Sequence, residues 1–459
     1  MSKEINLVWF RNDLRVGDNP ALFYAAEQGT VIGIYLEAVQ QRKSHDDAAC
    51  KIGFINDTVK ELRKQLNQLN IPLHSFKVSD YAESVEKLEQ LAKQFNAKGI
   101  YFNNEYPLNE ANRDKLAEKR LVEKGFEVKR FDGDIIIPPN SVSTGQGEPY
   151  KVFTPYKKAW IAFHKTQGTS PLLLPEKQDL KIDKQNDFDF AQDYRDDLWP
   201  AGEQAAQEKL KEFLPKAGYY KERRDIPAIK GTSMLSPYLA VGAISAKQCI
   251  SSLLEWHDGD EEAFYKDTWL SEIIWREFYR QIIIDNPDIS KHKVFKSDAK
   301  EVWNGEQELF NLWSQGKTGF PLIDAAMRQL LQTGWMHNRL RMNVAMFLNK
   351  LCLIDWRQGE AFFMRHLIDG DFASNNGGWQ WCSSTGADGA PYFRIMSPIT
   401  QSQRFDPEGK FIRKLIPELE SLSDKDIHFP SREQREKLGY PQPIIDYKEA
   451  RKRALELLS

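Results

Sequence analysis

The chain has 459 residues, 41% hydrophobic and 28% charged, with a formal net charge of −3. The length exceeds one ordinary core and sets two domains as the expectation, while the composition excludes a disordered chain. The charge excludes a protein coated in positive charge, but leaves room for a local arginine patch on nucleic acid.

No apolar run is long enough to span a membrane. The opening MSKEINLVWFRNDLR lacks a signal peptide's apolar core and reads directly into a strand, so a cytoplasmic protein away from membranes is expected. Cys50, Cys249, Cys352 and Cys382 are far apart and form no CxxC pair, so neither zinc nor a disulfide framework is indicated.

In chain order, INLVWF (5–10), TVIGIYL (30–36), IPLHSFKV (71–78), KGIYFN (98–103) and FEVKRFDG (126–133) read as strands. The stretches 48–69, 81–95 and 109–124 read as the helices between them. This alternation predicts a doubly wound parallel sheet in an α/β domain over 1–133. No G-x-G-x-x-G follows any strand, so a dinucleotide fingerprint is missing. Residues 134–205 are rich in proline, glycine and charge and read as an interdomain linker wrapped over the surface. From 206 to 459 the apolar period is helical and no further strand is expected. The fold class is therefore α/β plus all-α.

Eight of the twelve tryptophans fall between Trp269 and Trp381. Within WLSEIIWREFYRQ, the spacing puts Glu272, Trp275, Arg276 and Tyr279 on one helix face. That face is either an amphipathic helix with a satisfied acid or a pocket wall that sets a carboxyl group beside an indole platform. In TGWMHNRLRMNVAMF, Leu340, Val344, Phe347 and Leu348 form the apolar stripe, and Asn338, Arg339, Arg341 and Met342 crowd the helix start. Such a turn is either a solvated basic surface or a phosphate site. His337, a lone histidine beside them, reads as structural.

Asp369-x-Asp371 begins like a calcium loop. The pattern then needs an oxygen ligand at 373 and a glycine at 374, where Ala373 and Ser374 stand, so these aspartates are not metal ligands. They either cap a helix or bond a ligand and a neighbouring arginine. In GTSMLSPYLAVG, Thr232, Ser233 and Ser236 precede an apolar helix, as a plain N-cap or as a diphosphate cradle. In NNGGWQW, Gly377 and Gly378 are expected to permit a tight turn into a helix beside a flat ligand. Trp379 and Trp381 would then diverge by about 200°.

Together, NLVWFRNDLRVGDNPAL, YKVFTPYKKAW, GTSMLSPYLAVG, WREFYR, KTGFPLIDAAMRQLLQTGWMHNRLRM and IDGDFASNNGGWQWCSSTGADGAPYFRIMSP resemble the DNA photolyase/cryptochrome family. The resemblance runs from about residue 4 to 450 and is nearest to bacterial cyclobutane pyrimidine dimer photolyases with a folate antenna. It implies a helical domain holding FAD, and light-driven electron transfer from the reduced flavin to a flipped-out dimer in UV-damaged DNA. It implies FAD contacts at Tyr220, Thr232, Ser233, Met234, Leu235, Ser236, Arg341, Asp369 and Asp371, with Arg341 pairing Asp369 and Asn375 opposite flavin N5. For Met234 only a backbone role carries over.

On the lesion side the resemblance implies Glu272 as the acid bonding the dimer, Trp275 and Trp381 packing its rings, and Asn338 and Met342 lining the pocket. Arg224, Arg339, Arg394 and Gln401 resemble DNA-strand contacts, and the pocket-wall reading adds Arg276 and Tyr279. Trp303, Trp356 and Trp379 resemble an electron-transfer chain. His45, Asn109, Glu110 and Lys291 resemble contacts of a methenyltetrahydrofolate antenna. A monomer is expected.

Three other readings compete. A cryptochrome without repair activity would share the fold, but the lesion-side set is complete and no long tail follows the last helix. Repair of the (6–4) photoproduct needs a histidine pair, and only His337 is offered. A flavin oxidoreductase for small molecules would not need two indoles beside an arginine patch.

Overall fold

The structure is a computed structural model that describes residues 4–180, 185, 194–387 and 394–458. Five parallel strands, β1 (Ile5–Phe10), β2 (Thr30–Ala38), β3 (Leu73–Val78), β4 (Gly99–Asn103) and β5 (Glu127–Phe131), form one sheet in the order β3-β2-β1-β4-β5. Ile5 pairs with Thr30 and Asn6 with Gly99, so β1 lies between β2 and β4. Its Leu7, Val8, Trp9 and Phe10 are buried on both faces, which is why a parallel central strand reads as an unbroken apolar run. β5 forms an edge and carries Lys129 and Arg130, charges that discourage further pairing.

The helices Ala49–Gln68, Tyr81–Gln94 and Leu108–Glu123 fall within a residue of the predicted spans. The segment 134–205 differs. Residues 181–184 and 186–193 lie outside the described residues, but Phe153–Gln167 is a helix with Tyr156, Trp160 and His164 buried. Its Pro155 is tolerated because a proline in the first helical turn gives up an N–H that has no intrahelical acceptor anyway. Spacing of four then puts Tyr156, Trp160 and His164 on one face, where Trp160 and His164 stack at 4.9 Å.

The chain packs as two compact units. The first is 1–150, 154–215 and 233–290; the second is 151–153, 216–232 and 291–459. This division does not coincide with a boundary at 206, because hydrogen bonds tie the later helices of the first unit to its N-terminal segments. Ser245 Oγ donates to Asp18 at 2.5 Å, and buried Glu277 accepts from Ile136 N at 2.6 Å and Trp160 Nε1 at 2.8 Å. In the second unit, among the described residues, the secondary structure is helical. Its core joins Trp313, Leu340, Val344, Phe347, Leu348, Trp356 and Trp379.

Candidate functional site

In the second unit, the helix Pro321–Thr333 ends at Gly334, whose φ of 69° is left-handed. The chain then turns into the helix Asn338–Met346, capped by His337, whose Nδ1 accepts from Arg339 N at 3.2 Å. Burial pushes the His337 imidazole down to about 4, outweighing the backbone of Arg224 and the charge of Asp225, which raise it. A neutral ring can keep accepting, so the structural reading of this histidine fits its geometry.

Arg341 leaves this helix with two bonds. Its Nε donates to Met336 O at 2.8 Å and its Nη2 to Asp369 Oδ2 at 2.7 Å. The Asp369 side chain is 2% exposed, and among the described residues its Oδ1 is buried with no hydrogen-bond partner. A buried acceptor left open beside a fixed arginine is the geometry that a ligand N–H or O–H completes, so the residues present fit a bound flavin. Asp371 instead caps the helix Phe372–Ser383 and accepts from Ser374 N at 2.9 Å. Asp371 thus takes the capping role and Asp369 the pairing with a neighbouring arginine.

Gly377 and Gly378 do not form the turn into this helix. They sit inside it, after the Asp371 cap, at a cost of roughly 1 kcal/mol each relative to alanine. An added Cβ on Gly378 would meet nothing within 4 Å. Asn375 Nδ2 donates to Glu360 O at 3.0 Å and Asn376 Nδ2 to Glu360 Oε1 at 2.8 Å, which anchors the asparagine pair to the helix Trp356–Met364. The close approach of these helices depends on Gly359, where a Cβ would lie 2.1 Å from Trp379 Cη2.

Trp379 is buried, edge-on to Phe363 at 5.0 Å and to Trp313 at 6.2 Å. Trp356 is fully buried, with Arg357 4.7 Å over its ring. Trp303 is half-buried and donates through Nε1 to Glu301 at 3.3 Å. Arg357 Nη1 donates to the same Glu301 at 2.6 Å, so one acid joins the surroundings of both indoles. Burial alone would raise the Glu301 pKa. The bonds from Arg357 and Trp303, with the charge of Arg357, hold it below the usual range, and it stays ionised at neutral pH.

Arg339 pairs with Asp225 at 2.7 Å, lies 3.9 Å over the Phe405 ring and reaches Gln401 Oε1 at 3.4 Å. Arg224 lies 5.4 Å over Tyr220. Arg394 lies 5.5 Å over Trp381, so an arginine and the second indole of NNGGWQW come together. Met342 is a partly buried residue packed on the same core as Trp381.

In the first unit, Glu272, Trp275, Arg276 and Tyr279 lie on the helix Thr268–Asp285. The Trp275 and Tyr279 rings are 5.6 Å apart. Arg276 spends its donors within the unit, on Asp134 and on Leu239 O at 3.2 Å, a structural use the sequence did not suggest. Lys157 donates to Ser271 at 2.6 Å and adds a positive charge near Glu272. Ser236 opens a five-residue helix whose N-cap is Leu235 with no side-chain cap bond, so the plain hydroxyl N-cap is not what forms. Met234 has a left-handed φ of 55°, which turns the backbone of that run at a cost few non-glycine residues accept. Tyr220 and Thr232 belong to the second unit, and Ser233–Ser236 to the first.

The first unit also brings together His45, the C-cap of the helix Val39–Ser44 after β2, and Asn109 and Glu110 in the first turn of the helix Leu108–Glu123 after β4, at the carboxyl ends where open sheets bind ligands. His45 Nε2 is 2.9 Å from Asn109 Nδ2 and its Nδ1 is 3.3 Å from Glu110 Oε1, which also accepts from Tyr81 at 2.8 Å. Lys291 falls in the second unit. Burial lowers the His45 pKa, but the hydrogen bond and charge of Glu110, with Asp47, outweigh it and leave it above its ordinary value. A histidine favoured in its charged form contributes stability that is complete below the ordinary value and is lost as pH rises through the raised one. NMR titration is expected to place His45 above its ordinary range and Glu110→Gln to bring it down. The urea midpoint should separate wild type from the variant at pH 6 and not at pH 9. Equal midpoints at both would refute the linkage.

Glu360, Gly359, Asp225 and Lys157 went unnoticed in the sequence, and Trp313 stood out only as one of the eight clustered tryptophans. Of the unnoticed residues, only Asp225, two residues after Arg223 in KERRD, carried a local signal.

An open parallel sheet, a helical unit with a half-satisfied Asp–Arg pair, and indoles that range from half-buried to fully buried fit the photolyase–cryptochrome class that the sequence resembles. Residues 6–176 match the family model described as DNA photolyase, and 269–459 the one described as the FAD binding domain of DNA photolyase. The chain belongs to the DNA photolyase family. It is 43% identical to the deoxyribodipyrimidine photo-lyase of Vibrio cholerae, over 99% of both chains. Among solved structures, a class III photolyase from Agrobacterium tumefaciens is similar at 33% identity and a TM-score of 0.87, covering 100% of this chain and 97% of that one. A Synechocystis cryptochrome is similar at 27% identity and a TM-score of 0.88, covering 100% and 99%. The fold is thus common to both branches, and the higher identity is to the repair enzyme.

Proposed function

We propose that the chain is a deoxyribodipyrimidine photo-lyase, a carbon–carbon lyase that splits cyclobutane pyrimidine dimers in UV-damaged DNA under light. The observation that carries this reading is the 43% identity over 99% of both chains to an enzyme of that name. Bound FAD, reduced and excited by blue light, supplies the electron that opens the cyclobutane ring.

The residues divide the remaining work. Arg341 and Asp369, with Asn375, hold the flavin ring, and Tyr220, Thr232 and Ser233–Ser236 take its diphosphate and ribityl chain. Asp371 supports them by fixing the helix start. Glu272 hydrogen-bonds the flipped-out dimer, Trp275 and Trp381 pack its rings, and Asn338 and Met342 close the pocket. Stacking on an indole is worth roughly 1–3 kcal/mol per base, and a dimer pairs poorly, so extrusion favours the lesion. Arg224, Arg339, Arg394 and Gln401 contact the strand. His45, Asn109, Glu110 and Lys291 take a methenyltetrahydrofolate antenna. The protein acts as a cytoplasmic monomer. Among the described residues no helix is long and apolar enough to cross a membrane.

Reduced holoprotein mixed with a dimer-containing oligonucleotide is expected to restore intact pyrimidines under blue light only, and Glu272→Ala to slow this several-fold. Repair in the dark, or none in the light with reduced FAD bound, would overturn the reading.

A further inference from the structure

The helix Phe372–Ser383, which carries both indoles of NNGGWQW, ends on a strained residue. Its C-cap, Ser384, has a left-handed φ of 69°, a region few non-glycine residues enter. The chain then folds back on the helix. Ser384 N donates to Trp381 O at 3.2 Å, and Thr385 N and Gly386 N both donate to Gln380 O at 3.0 Å. Trp381 thus sits in the last turn, beside the cap.

Lys350 holds this end from inside. It lies on the π-helical turn Phe347–Leu351, a rare local winding, and is 1% exposed. Its neighbours Phe347, Leu348 and Leu351 belong to the apolar core, where a lysine is costly unless its donors are bonded. Its Nζ donates to Ser384 Oγ at 2.9 Å and to Arg394 O at 2.7 Å. These oxygens stand at the two ends of the segment 385–393. One side chain therefore braces the left-handed cap after Trp381 and the backbone of the arginine whose guanidinium lies 5.5 Å over the Trp381 ring. The charge of Lys350 also reaches Cys382, the residue after Trp381, where it works against the burial that pushes that thiol up to about 12.

We propose that Lys350 is a positioning residue for dimer recognition, holding the Trp381 ring and the Arg394 backbone in register by bonding Ser384 and Arg394 from within the core. The inference rests on the repair reading, in which Trp381 packs a ring of the flipped-out dimer. It adds a residue that acts through Trp381 rather than on the dimer itself. Stacking needs the aromatic face presented to the extruded base, so loss of the brace weakens the contact that the lesion makes. An undamaged duplex keeps its bases stacked inside, and its binding does not draw on that ring. A lysine that served the core alone would instead weaken binding to both duplexes alike.

The test measures dissociation constants in the dark for dimer-containing and undamaged duplex, with full-length holoproteins. Methionine keeps an unbranched side chain and removes the donors. Lys350→Met is expected to keep its FAD and its affinity for undamaged duplex, and to lose about tenfold in affinity for the dimer. Ser384→Ala, which removes one of the two bonds, should lose less in the same direction. In Trp381→Ala, which already lacks the ring, adding Lys350→Met should cost little more, because residues that act as a unit are not additive. Unchanged dimer affinity in Lys350→Met, equal losses on both duplexes, or fully additive losses with Trp381→Ala would overturn the role. Should Lys350→Met fail to fold, Ser384→Ala with and without the Trp381 ring decides the same question, and unchanged dimer affinity there would overturn it. Wild type without a preference for the dimer would instead overturn the repair reading.

Discussion

Arg341→Ala is expected to cost about 3–5 kcal/mol of folding stability and to give protein that no longer retains FAD. The magnitude follows from what the truncation leaves behind. Asp369 is buried, one of its oxygens accepts from the Arg341 guanidinium, and the other has no partner among the described residues. Removing the arginine leaves a carboxylate that is itself only 2% exposed without its counter-charge. Arg341 also donates to Met336 O, so the turn between Gly334 and the Asn338–Met346 helix loses its brace. Asp369→Asn placed on top of Arg341→Ala should recover most of the stability, since a neutral amide costs far less to bury, yet should not recover the flavin. Urea midpoints and visible flavin absorbance separate the two effects. An unchanged midpoint with full FAD content would remove the pair from both roles.

How much of this could be read from the sequence depends on the distance over which each feature is decided. β1, β2 and β4 were legible because strands buried on both faces announce themselves as apolar runs. The Phe153–Gln167 helix was hidden by the proline- and glycine-rich stretches that flank it, and its own Pro155 sits in the first turn, where proline is tolerated. Partners far apart in the chain leave no periodic trace. Arg341 and Asp369 are paired by the resemblance, not by spacing. Arg276 shares a helical face with Glu272 as expected, but its donors go to Asp134, a contact that only packing decides. Glu360 holds both Asn375 and Asn376, and it can do so because Gly359 admits the Trp379 ring. Glycine in an amphipathic helix is the one hint of that arrangement, and it gives no address for the ring that will fill the space.

Trp303→Phe is expected to abolish light-driven reduction of oxidised FAD while leaving dimer repair by chemically pre-reduced enzyme intact. A relay from solvent inward needs an oxidisable ring that an external donor can reach, and further rings behind it that solvent cannot. Trp303 is half-buried, whereas Trp356 and Trp379 are buried. Phenylalanine keeps the shape of an aromatic at position 303 but is much harder to oxidise than indole, so the substitution breaks the relay without opening the core. Glu301 sharpens the expectation. It is held ionised between Trp303, Trp356 and Arg357, where its negative charge favours an indole that has given up an electron. Glu301→Gln should therefore slow photoreduction without abolishing it. Trp379→Phe is a poorer test, because that ring fills the space Gly359 leaves and packs against Trp313 and Phe363, so a loss there would mix chemistry with packing. Illumination with an external reductant, followed by flavin absorbance, measures the first half. Single-turnover repair by pre-reduced protein measures the second. Photoreduction at the wild-type rate would sink the relay, and loss of repair by the pre-reduced variant would show that Trp303 serves the lesion as well as the electron supply.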